Sequence, residues 1–146
     1  MTALDAHATA DTRSTVIPCL RYRHALSAID WLCEAFGFQR HAVYADGEIV
    51  QHAQLTFGNG MVMVASTAME SEWARHTVQP DEVGLRGTQS CCVIVHDVDA
   101  HYARAVAGGA DVVIDISDQD YGGRGYACRD IEGHVWWFGS YDPWKA

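Results

Sequence analysis

An α+β domain built from two successive βαβββ modules is predicted by three features of this 146-residue sequence. One order of apolar and turn-forming segments occurs twice, a polar stretch separates the two occurrences, and glycine-containing turns punctuate both at matching places. Each module alone is small for an independent core, so the two sheets are expected to pack side by side and curl into a partly open cup. Residues 1–14 read as a flexible N-terminal tail and 15–146 as one domain, with module 1 at 15–66, a linker at 67–87 and module 2 at 88–141.

The first strand is TVIPCLRY from Thr15, where Pro18 argues for an edge or a bulge. A helix follows over ALSAIDWLCEAFGF, opening at His24 or Ser27. Ala28, Ile29, Leu32, Ala35 and Phe36 recur there at helical spacing, and Gly37 supplies the stop. Three strands come next: 39–45, 48–57 after the Asp46-Gly47 turn, and 61–66 after Gly58-Asn59-Gly60. The polar residues 67–87 predict a connection with one helical turn near Ser71 to His76. The second series is a strand at 88–96, a helix over DVDAHYARAVAGGA closed by Gly108-Gly109, and strands at 111–117, 123–130 and 134–141. Asn59 to Val64 aligns with Glu132 to Trp137 at the ends of the two modules.

The net charge of −9 argues against nucleic acid and against an acidic membrane surface, since both repel such a chain. No apolar run approaches the roughly 20 residues that span a bilayer, and the N-terminus carries no leader pattern. The five cysteines, Cys19, Cys33, Cys91, Cys92 and Cys128, form no CxxC pair. They read as buried, reduced thiols in a cytoplasmic protein.

The stretches VIPCLRYRHALSAIDWLCEAFGF, HAQLTFGNGMVMVAS, VIVHDVDAHYARAVAGGA and DYGGRGYACRDIEGHVWWFGSYDPW together resemble the vicinal oxygen chelate superfamily of glyoxalases, bleomycin-resistance proteins and dioxygenases. The resemblance runs from about Val16 to Trp144 and implies the paired-module fold and a homodimer. It also implies four inward strand positions that hold a metal in many members. Here those positions carry Ile17, Gln54, Ser90 and Trp137. Several His, carboxylate or thiolate donors must converge to bind a divalent cation, so no metal cofactor is expected.

His52 lies two residues before Gln54 and shares its strand face, which makes it the candidate general base if there is catalysis. By alternation, Val135 and Trp137 face the cup while Trp136 and Phe138 pack beneath the second helix. Trp31 also reads as core. The expected ligand-binding set is His52, Gln54, Ser90, Tyr126, Arg129 and Trp137, with Tyr121 and the methionines softening the lining. Arg21 and Arg129 are possible anchors for a carboxylate, although a salt bridge to Asp130 or Glu132 is the commoner use of Arg129. His96 and His101 look like surface residues. These features predict a metal-free binding protein for a small aromatic or drug-like molecule. The alternative is a metal-dependent lyase or dioxygenase with displaced ligands.

Overall fold

The computed structural model describes residues 12–145, so most of the expected N-terminal tail lies outside the described residues. Module 1 comprises β1 (Cys19–Tyr22), α1 (Ala25–Trp31, continued by a π-helical turn over Leu32–Phe36), β2 (Gln39–Asp46), β3 (Ile49–Phe57) and β4 (Gly60–Ser66). Module 2 comprises β5 (Cys91–Ile94), α2 (Val98–Ala107), β6 (Asp111–Asp118), β7 (Arg124–Arg129) and β8 (Val135–Gly139). The two open four-stranded sheets have the same order, β1-β4-β3-β2 and β5-β8-β7-β6. In each, the first strand pairs parallel with the last and the other pairings are antiparallel. The expected α+β architecture is therefore present.

The first strand of each module is shorter than the sequence pattern suggests. Ile17 and Ser90 both precede the regular pairing and stand at the N-terminal ends of β1 and β5. Proline has no N–H to donate to a ladder, and Pro18 contributes its carbonyl alone, accepting from Met63 N at 2.9 Å. The linker forms two short 3₁₀ turns, Trp73–His76 and Pro80–Glu82.

One face of each sheet is buried under its helix, and the two buried faces share one core. Phe36, at the end of α1, reaches into module 2 and meets Phe138 and Trp136 edge-on at centroid distances of 4.6 and 5.4 Å. Gly108 permits the two helices to approach, because a Cβ there would stand 2.7 Å from that of Ala35. Trp31 donates to the Gly108 carbonyl at 2.7 Å across the same seam. Glu132 of module 2 accepts from the backbone N–H groups of Arg23 and His24 at 2.6 and 2.9 Å, tying module 2 to the residues that lead into α1.

The structure corrects three expectations. His101 is half-buried and bonds through both ring nitrogens, to the Tyr126 hydroxyl at 2.6 Å and the Phe36 carbonyl at 2.8 Å. Cys19 and Cys92 are exposed, although all five cysteines are unpaired as expected. The alignment of the two module ends is off by one residue. Val64 is buried and Trp137 lies on the outer face, so Met63, paired with Cys19 and Gln54, occupies the place of Trp137. The turns explain the slip: two residues connect Phe57 to Gly60, but five connect Arg129 to Val135.

Candidate functional site: two open sheet faces and a cavity between the modules

The outer face of sheet 2 is built around Trp137. Trp136 and Phe138 are fully buried, packed against Phe36 of module 1, so strand alternation turns Trp137 the other way. Its indole lies against two glycines. A Cβ on Gly125 would stand 2.5 Å from Trp137 Cζ2, and one on Gly139 would stand 2.8 Å from Nε1. No other residue type leaves room for a ring so close to the backbone. Cys92 and Ala127 flank Trp137 in register, and the partly exposed Ile94 and Ile114 complete an apolar surface around it.

The outer face of sheet 1 is softer and more polar. Gln54 pairs with Met63 and Thr56 with Met61, and all four side chains are half-buried. The Gln54 amide donates to His52 Nε2 at 3.0 Å, leaving the imidazole proton on Nδ1. Tyr44 stacks on the His52 ring at a centroid distance of 6.2 Å. The His52 lone pair that a general base would use is thus already engaged, and no carboxylate among the described residues orients the ring.

Between the N-terminal ends of β1 and β5, beneath the linker, lies a cavity of about 1010 Å³. Ile17 and Ser90 line it, together with Leu20, Trp73, Val83 and Arg86. The four positions implied by the family resemblance are therefore divided: Ile17 and Ser90 meet at this cavity, whereas Gln54 and Trp137 stand on separate sheet faces. Among the described residues, no group of three or more His, Cys, Asp or Glu side chains could hold a metal ion. An isoleucine, an amide, a hydroxyl and an indole do not fit a divalent cation.

Two expected site residues have other roles. Tyr126 is fully buried on the helix-covered face, where it bonds His101 and meets Tyr102 edge-on at 5.0 Å; its placement in the cleft is corrected. Burial pushes its hydroxyl far above the ordinary phenol range. Arg129 pairs with Asp111 at 3.0 Å, rather than with Asp130 or Glu132, and also donates to the Leu85 carbonyl at 3.1 Å. Arg21 is committed to the carbonyls of Ser66, Thr67 and Met69 at 3.0–3.1 Å. Burial raises the Cys91 thiol to about 11 and that of Cys128 to about 12, so neither is a thiolate near neutrality. The cavity itself and Arg86 are not foreseen from the sequence, although Ser90, which lines the cavity, belongs to the expected set. Their one signal is the run of apolar residues, Trp73, Val78, Val83 and Leu85, within a linker that otherwise reads as polar.

Among the described residues, no helix is long and apolar enough to cross a membrane. The family model described as Glyoxalase/Bleomycin resistance protein/Dioxygenase superfamily matches residues 13–138. The uncharacterised protein Mb0911c of Mycobacterium bovis is 32% identical over 125 residues, covering 84% of this chain and 80% of that protein. Among solved structures, TioX from Micromonospora sp. ML1 superposes with a TM-score of 0.67 at 36% identity, over 86% of this chain and 97% of TioX. The fosfomycin resistance protein FosX from Mesorhizobium loti shares the fold at a TM-score of 0.63 and 14% identity, over 90% of this chain and 95% of FosX.

Proposed function

The chain belongs to the Glyoxalase/Bleomycin resistance protein/Dioxygenase superfamily, and from that premise we propose that it is a small-molecule-binding protein that works without a metal. Its ligand is a planar aromatic or drug-like compound held against the Trp137 face of sheet 2. The observation that carries this reading is the indole set against Gly125 and Gly139. One side of the ring is spent on backbone and the other is left for a partner, as expected of a stacking platform. Drug sequestration is the form of binding we favour, since the matching family model takes in bleomycin resistance proteins. The net charge of −9 favours a cationic ring system.

The metal-dependent lyase or dioxygenase is the weaker reading, because the donors at the four positions are wrong and His52 is already hydrogen-bonded. Both outer faces are open in a single chain, and Ile94 and Ile114 are partly exposed beside Trp137. A homodimer in which a second copy covers the ligand therefore belongs to the proposal. So does a cytoplasmic location, which suits five unpaired cysteines.

Proflavine, a planar cation, tests the reading. It is expected to bind with quenched fluorescence and to raise the melting temperature, and Trp137→Ala should weaken binding at least tenfold. Equal affinity in Trp137→Ala, or no melting shift with any planar compound, would remove the proposal. Elemental analysis of protein purified without a chelating column should find no stoichiometric divalent ion.

A further inference from the structure

The geometry points to a second binding site, separate from the Trp137 face: the cavity between the modules takes an organic carboxylate with an apolar body, anchored by Arg86. Three observations converge on it.

The first is the lining. Val16, Trp73, Val78 and Val83 are exposed by 79, 62, 61 and 42%, and all four border this cavity. Isolated exposed apolar residues are ordinary, but four around one hollow form a patch that an apolar body would cover. Trp73 supplies a flat surface for a ring.

The second is charge. From Arg21 onward, each arginine apart from Arg86 holds a carboxylate or carbonyl: Arg21, Arg23, Arg40, Arg75, Arg104, Arg124 and Arg129 are all engaged. Arg86 lines the cavity and has no partner among the described residues. Its side chain is exposed, and the planar fork of an uncommitted guanidinium fits a carboxylate in a bidentate way.

The third is the backbone that presents it. Leu85, immediately before Arg86, has a φ of +58°, a left-handed conformation that is unfavourable for a leucine. Neighbours hold it there. Its N–H donates to the Pro80 carbonyl at 2.8 Å, and its own carbonyl accepts from Arg129 Nε at 3.1 Å. Gly133 leaves room for its side chain, because a Cβ there would lie 2.9 Å from Leu85 Cδ2. Strain maintained by three separate contacts points to a placement with a use.

The full chain is titrated with 2-naphthoate, its neutral amide 2-naphthamide and the cation 2-naphthylmethylammonium, by calorimetry at low and moderate salt. The carboxylate should bind most tightly. Arg86→Gln should weaken it about tenfold while leaving the amide unchanged, and Arg86→Lys should restore part of the loss. Trp137→Ala, which tests the sheet face, should leave naphthoate affinity unaltered, so the two sites fail separately. Arg86→Gln is a change at an exposed side chain and leaves the core untouched. Equal binding of acid and amide by the wild type, undiminished naphthoate binding by Arg86→Gln, or no binding of naphthoate at millimolar concentration would each overturn the assignment. Binding seen only on dilution of a self-associated protein would also overturn it, because a second copy would then be the occupant.

Discussion

The two sheets share strand order, parallel first-to-last pairing and a helix on one face, yet their outer faces are chemically unlike. Sheet 1 presents Tyr44, His52, Gln54, Met61 and Met63, a flexible and partly polar surface. Sheet 2 presents Trp137 on a floor of glycines with Ile94 and Ile114 around it, a rigid apolar one. The buried faces are constrained by a shared core and must remain large and apolar. The outer faces carry no such constraint, and there the modules have diverged. The modules also differ in their last turn. In module 1 two residues, Gly58 and Asn59, close a tight hairpin. In module 2 the five-residue turn wraps a buried carboxylate, Asp130, which accepts from Tyr22 Oη at 2.6 Å, Trp136 Nε1 at 3.0 Å and the N–H groups of Glu132 and His134 at 3.0 and 3.1 Å.

The largest effect should separate these two turns. Asp130→Ala leaves four donors without an acceptor, two of them on buried aromatic residues from different modules, and is expected to cost roughly 3 kcal/mol or more. Gly58→Ala introduces only left-handed strain at φ +56°, with nothing within 4 Å of the added methyl, and should cost about 1 kcal/mol. Urea denaturation of the two variants measures both. Similar losses would mean that the Asp130 knot is no more important to the fold than an ordinary hairpin turn.

The repeated architecture is legible in the sequence because turn glycines and apolar periodicity report backbone needs that both modules share. Trp136 and Phe138 are assigned to the core, and Trp137 to the outer face, by alternation alone. What depends on distant residues is not legible. Tyr126 faces inward because it pairs with Phe138 in register, a fact fixed by the length of the turn around Asp130. His101 reads as a helix-surface residue until Phe36 and Tyr126 are brought to its two nitrogens. The one-residue slip between the module ends has the same origin, and so does the commitment of Arg129 to Asp111 across a strand pair.

A second, smaller effect probes the glycine floor. Gly125→Ala places a methyl 2.5 Å from the Trp137 ring and 3.0 Å from the Phe138 carbonyl, so the indole must lift off the sheet. A cost of about 1–3 kcal/mol is expected, together with weaker proflavine binding and a change in tryptophan emission. An unchanged emission spectrum would show that the indole does not lie on this floor, and the contrast between the two faces would lose its basis.

The seam between the modules offers a pH test. Burial lowers the His101 pKa from the ordinary 6.5, because protonation would place a charge in the core and take the lone pair that accepts from Tyr126. The unfolded chain therefore binds a proton more readily than the folded one. Stability should be complete above about pH 6.5 and fall as pH drops below that value, with a slope of up to about 1.4 kcal/mol per pH unit. His101→Gln should reduce this slope even as it lowers stability at neutral pH, and urea midpoints between pH 7 and pH 5 report it. A slope identical in variant and wild type would assign the acid sensitivity to other groups.

The smallest effect should come from His52→Ala on the outer face of sheet 1. The imidazole stacks on an exposed tyrosine and accepts one hydrogen bond from a half-buried amide that can turn to water. A stability change within about 0.5 kcal/mol follows for such a surface position. Because Gln54, Met61 and Met63 around it do not assemble a donor set, adding Zn²⁺ or a chelator should leave the melting temperature of wild type and variant alike. A zinc-dependent rise that vanishes in His52→Ala would instead give this face a cation. Its divergence from the Trp137 face would then divide chemistry from binding, rather than a flexible surface from a rigid one.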